Sequence, residues 1–228
     1  VSQLLCVSFA NADDHTQGFA IDGVGALLLR GGELARSDAA AVTRQGEGWQ
    51  LSAPGAGIEL ALLTAAAAGE HPPLWRAQAR GEVGARGFDG VAIVSREAAP
   101  AAGELVRSLA ITFDAQLALA LHARRARGAG GHGDEELEAV VVRGDPAESM
   151  TVETPLLSST YDGSGRLTHA GLELWEGEES EQPLRLGGEA IAHGELLHDQ
   201  AGVTVVAFMD WHLGERHTPG TYAITTAD

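Results

Sequence analysis

The segment from Val203 to Leu213 holds the pair of residues best suited to acid/base chemistry, Asp210 and His212. Read as a strand, it puts Val203, Val205, Ala207, Met209, Trp211 and Leu213 on one face and Val206, Phe208, Asp210 and His212 on the other. Residues two apart on a strand stand about 7 Å from each other, so carboxylate and imidazole share one side near the strand's end. Among apolar neighbours such a carboxyl keeps its proton to higher pH, and its ionised form can hold an imidazolium. Two readings stay open. The pair is an acid/base couple at the mouth of an apolar cavity lined by Val206 and Phe208, or a solvated strand end running into the polar loop 214–220. Trp211 on the same strand and Trp175 on an earlier one are the aromatic candidates for contact with an apolar ligand.

Other polar groups are weaker candidates. His193, His198, His212 and His217 lie close together in sequence, but none sits in a tight ligand motif such as His-Glu-x-x-His, so no metal is expected. Ser158-Ser159-Thr160 lacks the glycines of a nucleophile elbow. Gly81, Gly84, Gly87 and Gly90 recur every third residue, yet the strand-like run Val91–Val94 follows them where a dinucleotide site needs a helix. In the stretch 185–197, Arg185, Glu189, His193 and Glu195 alternate with Leu186, Ala190, Ala192 and Leu196, which reads as an outer charged face. No cofactor is expected.

Composition narrows the field further. The 228 residues carry 32 acidic and 15 basic side chains, a formal charge of −17, so nucleic acid and anionic lipid are poor partners. Every basic residue is arginine. Without lysine there is no Walker-type phosphate loop and no Schiff-base chemistry. Cys6 is the only cysteine, which excludes an intrachain disulfide, and its place in the apolar run Leu4–Phe9 suits a buried strand residue. No apolar stretch reaches the ~20 residues of a spanning helix, and the N-terminal run has no basic segment before it. A cytoplasmic chain without membrane insertion is expected.

The elements that must position these groups are strands, because the prevailing period is two. Leu109, Ile111, Phe113, Ala115, Leu117, Leu119 and Leu121 line one face of what reads as a single long strand. A glycine-rich loop, 124–136, leads to the apolar run 137–143 and completes a hairpin. Further strands fall near residues 4–9, 24–30, 48–52, 58–63, 75–83, 90–95, 167–175, 185–197, 203–213 and 220–225. Asp162-Gly163-Ser164-Gly165 makes a hairpin turn. The alanine-rich runs 65–68 and 98–102 are short and read as loops or single turns. Ten or more short strands argue for an all-β protein of antiparallel barrels in two packed halves, 1–98 and 99–228. No internal repeat is evident in the sequence.

Leu157-Ser-Ser-Thr-Tyr161-Asp-Gly-Ser-Gly-Arg166 with Ala170-Gly171-Leu172-Glu173-Leu174-Trp175 resembles the calycin or lipocalin-like double β-barrel proteins typified by hydroxyneurosporene synthase and tocopherol cyclase. Gly187-Gly188-Glu189-Ala190, Asp210-Trp211 and the stretch Trp75–Val83 are similar to other strands of that group. The chain differs at Gly87–Ile93, which carries neither the histidine nor the tryptophan usual there. The resemblance implies a barrel around a small hydrophobic molecule, with acid/base hydration, cyclisation or isomerisation as the reaction class. A non-catalytic carrier and a structural or dimer-forming β domain are the alternatives.

Overall fold

The alternating pattern resolves, in a computed structural model, into eighteen antiparallel strands among the described residues, 3–68, 74–114, 117–129, 134–144, 148–152, 154–175, 182–198 and 202–227. The first nine are β1 (Gln3–Asn11), β2 (Thr16–Ile21), β3 (Gly25–Arg30), β4 (Glu33–Ser37), β5 (Ala41–Gln45), β6 (Gly48–Ala53), β7 (Ile58–Ala68), β8 (Leu74–Val83) and β9 (Arg86–Ala98). The second nine are β10 (Leu105–Asp114), β11 (Leu117–Arg125), β12 (Glu135–Arg143), β13 (Glu148–Val152), β14 (Leu156–Tyr161), β15 (Leu167–Leu174), β16 (Leu184–His198), β17 (Gly202–Leu213) and β18 (Arg216–Ala227). No helix among the described residues is long and apolar enough to cross a membrane.

Each set of nine forms one curled sheet. The first has the order β4-β3-β2-β1-β9-β8-β7-β6-β5, and the second repeats it with nine added to every number. The chain therefore contains a topological repeat that its sequence does not display. In both sheets the first and last strands pair at the centre, β1 with β9 and β10 with β18, and the curl stays open between the fourth and fifth strands. Residues 99–104 join the two.

Several sequence expectations change here. The single strand expected over 109–121 is two, β10 and β11, with residues 115–116 between them outside the described set. Ile111 pairs with Leu119 and Leu109 with Leu121, so the odd-numbered residues of both strands share one face up to a register shift between Thr112 and Asp114. The alanine-rich run 65–68 is the end of β7, held by β8, where pairing outweighs alanine's weak strand preference. Asp162 does close a hairpin. Its Oδ1 accepts bonds from Ser164 Oγ at 2.7 Å and from the backbone N–H groups of Ser164 and Arg166 at 2.8 and 3.0 Å, which hold its carboxyl below its ordinary range.

Four apolar clusters account for the packing. One fills the first barrel around Phe9, Trp49, Leu51, Leu60 and Phe88. Another fills much of the second around Leu109, Ile111, Leu172, Met209 and Trp211. The remaining two lie on the outer faces and join the barrels: Cys6, Phe19, Ile21 and Leu27 against Leu196, Val206, Phe208 and Ala223, and Leu74 with Ile93 against Ala118, Ala120, Val140 and Val142. Burial, and next the charge of Glu97, push the Cys6 thiol well above its ordinary range, so Cys6 is a protonated seam residue.

Candidate functional site

Because the barrels join through outer faces, a strand at the seam is apolar on both sides. β17 is such a strand. Its odd-numbered residues, Ala207, Met209 and Trp211, face the interior of the second barrel. Val206 and Phe208 do not line that interior; they pack against Cys6, Phe19 and Leu27 of the first barrel. The other proposed site residues are also dispersed. Asp210 leaves 47% of its side chain exposed and pairs with His217 Nδ1 at 3.0 Å rather than with His212. His212 is exposed and stacks at 5.8 Å on the His217 ring. Trp175 is 37% exposed at the end of β15. Trp211 is fully buried, its ring laid over the backbone of Gly188 on β16 and Gly220 on β18, where a Cβ would come within 2.7 and 2.8 Å of it. It plugs one end of the barrel.

The opposite end is polar. Arg107 shares the inner face of β10 with Leu109 and Ile111, and only 1% of it is exposed. Its Nη1 donates to Tyr222 Oη at 3.0 Å and to Ser159 Oγ at 3.3 Å, while Nη2 binds the Glu135 carboxylate. Tyr222 Oη and Ser159 Oγ are 2.9 Å apart. Four strands thus supply one network: β10, β12, β14 and β18. Tyr222 also walls a cleft of about 1040 Å³ that runs along β16–β18, under the β14–β15 turn, to Leu27, Leu34 and Arg36 of the first barrel. His193 and Arg166 line the same cleft. His193 Nε2 lies 2.8 Å from Leu167 O, and since a carbonyl can only accept, Nε2 carries a proton, so in the neutral ring the lone pair is on Nδ1.

Charge sets the character of this end. Burial pushes the Tyr222 phenol up to about 12, and the Arg107 guanidinium pulls against that rise without cancelling it. At neutral pH Tyr222 is a proton donor. The unfolded chain's phenol titrates near 10, so the folded chain keeps this proton longer as pH rises. The stability gained is complete below about pH 10 and is lost as pH climbs through 12, by about 2–3 kcal/mol. Urea midpoints measured from pH 9 to 12 should fall for the parent and fall less steeply for Tyr222→Phe. Equal slopes would contradict this account of the phenol.

Neither Arg107 nor Tyr222 was a sequence candidate, although each carried a signal. Arg107 has the same strand parity as Leu109, Ile111 and Phe113, so a charge stands on an apolar face. Tyr222 alternates with Gly220 and Ile224 in the same way. His193 was assigned to an outer charged face, but a register shift in β16 between Ala190 and Ala192 turns it toward the cleft.

Two curled nine-stranded antiparallel sheets packed through their outer faces define a double-barrel, lipocalin-like fold. In that fold the chain is similar to the crystal structure of kievitone hydratase from Nectria haematococca, with a TM-score of 0.55 and 8% identity over 98% of this chain and 88% of that one. At such identity the likeness is one of architecture. No family model matches the sequence, and no curated protein matches it.

Proposed function

We propose that this chain holds a small amphipathic molecule in the open end of its second barrel and adds water to it by acid/base chemistry. The observation that carries the reading is the Arg107–Tyr222–Ser159 network set into the wall of a roomy cleft. Such a network offers proton donors in fixed positions to a ligand oxygen, and the apolar interior beyond it suits the rest of the molecule. The fold neighbour's name, a hydratase, is consistent with the class.

An activated alkene conjugated to a carbonyl is the substrate type that fits. His193 Nδ1 takes a proton from water, and the water oxygen bonds to the β-carbon. The alkene's electron pair moves to the carbonyl oxygen, where Tyr222 donates a hydrogen bond to the developing enolate. The α-carbon then takes up the proton that His193 had removed, which regenerates the imidazole, and water has been added across the double bond. Arg107 keeps Tyr222 oriented by donating to its oxygen, and with Ser159 Oγ as the donor in its 2.9 Å bond to the same oxygen the phenol's own proton can point at the ligand.

The test is a panel of hydroxylated and unhydroxylated enones in ¹⁸O-water, with mass spectrometry reading label uptake. Label should enter one or more of them with the parent, and Tyr222→Phe should slow it about 10²-fold or more, the range for losing a donor to a developing oxyanion. Binding of the same compound should weaken only about 2–10-fold, the worth of one neutral hydrogen bond. Saturable binding with no label in any compound would leave a carrier, and no binding at all would overturn the reading.

A further inference from the structure

The repeat of strand order puts equivalent ends in the two barrels. In the second, the polar network lies where β10 begins; in the first, the corresponding end is where β1 and β8 begin and β5 and β9 finish. There the inner faces converge four residues of a different kind. Trp49 on β6 and Trp75 on β8 lie 5.5 Å apart with their rings tilted at 57°. Arg44 on β5 sits over the Trp49 ring at 4.8 Å, and Arg96 on β9 sits 5.8 Å from Trp49 and 5.6 Å from Trp75.

Arg36, Arg80, Arg107, Arg124 and Arg185 each pair with a carboxylate, whereas Arg44 and Arg96 are placed by aromatic rings. Arg44 and Arg96 meet no carboxylate among the described residues. Among the described residues Arg44 gives one bond, from Nε to Gly46 O at 3.2 Å, and Arg96 has its aromatic contacts. Both side chains are exposed. The indole N–H of Trp49, a residue only 4% exposed, is buried with no acceptor among the described residues. Contact with the indole rings holds each guanidinium in place, and its remaining donors meet no carboxylate among the described residues.

The geometry points to a second ligand site at the mouth of the first barrel, taking a small organic anion with a flat apolar body, such as an aromatic carboxylate. The carboxylate would accept from the edges of Arg44 and Arg96, and the ring would lie on the exposed side of Trp75. This site is separate from the cleft of the second barrel and does not depend on the hydration reading.

Calorimetric titration with 2-naphthoate and with neutral 2-naphthylmethanol tests it on the whole chain. Naphthoate should bind at least about 10-fold more tightly than the alcohol, as expected for charge-assisted bonds to two guanidinium groups. Arg96→Gln should erase most of that difference, Arg96→Lys should restore part of it, and Tyr222→Phe should leave it unchanged. Equal affinity for the two probes, no binding of naphthoate, or a naphthoate preference that survives Arg96→Gln would overturn the proposal. So would a preference that follows Tyr222, because the anion would then occupy the other barrel.

Discussion

Replacing Glu135 with leucine should cost the folded chain about 3–5 kcal/mol, while the double change Arg107→Met with Glu135→Leu should cost markedly less. Both side chains of this pair are only 2% exposed. Removing the carboxylate takes away the acid that faces a guanidinium inside a barrel, and a buried charge stripped of its acid is far more expensive than no charge at all. Methionine and leucine together keep an apolar volume and remove the debt of desolvation on both sides. The Tyr222–Ser159 bond at 2.9 Å does not require Arg107 and should persist in the double variant. Urea unfolding followed by far-ultraviolet circular dichroism measures both costs. If the single variant unfolds at the parent's midpoint, the pair is not holding a buried charge. If the double variant is as unstable as the single, the packing around the pair matters more than its charge.

The same pair has a functional side. Arg107 fixes the oxygen of Tyr222, so the stability of the network and the direction of the phenol's proton rest on one ion pair. In the double variant the phenol can rotate. Label uptake should therefore fall even where the fold survives, which separates the pair's two effects.

How far these groups could be foreseen depends on what a period-two pattern can and cannot encode. Strand identity was readable, because alternation appears wherever one face is buried. Parity was readable as well: β17 does divide into Ala207, Met209 and Trp211 on one side and Val206 and Phe208 on the other. Which side faces the barrel was not readable. Alternation says inside or outside only when the outside is wet, and the outer face of β17 is covered by the first barrel. The seam thus makes both faces apolar, and Asp210 and His212, beyond the covered stretch, took on the look of cavity residues when they stand at a solvated end. The interior polar network was hidden for another reason. Its members, at positions 107, 135, 159 and 222, come from four strands and meet only once the curl is formed. No spacing rule links them. The repeat escaped notice because strand order is a property of pairing, and each barrel fills its interior with different side chains, Trp49 and Phe88 in one and Trp211 and Met209 in the other.

Phe208→Ala is the substitution that separates these two views of β17 most sharply, and it should destabilise the chain by about 3–5 kcal/mol. Phe208 has no exposed surface and packs among Cys6, Phe19, Ile21, Leu27, Leu29 and Leu196, so its ring fills the joint between the barrels. A cavity there is bounded by two stiff sheets. Such walls collapse poorly around a void, which places the cost toward the upper part of the range for buried aromatics. Ligand binding in the second barrel should not share the loss, because Ala207 and Tyr222, which wall the cleft, face the other way. The expected signature is a large fall in urea midpoint with a dissociation constant within about twofold of the parent's at temperatures where the variant is folded. Phe208→Leu should recover much of the stability, since it restores most of the apolar volume. A variant that keeps its stability and loses binding would return Phe208 to the ligand site and reverse the assignment of faces on β17.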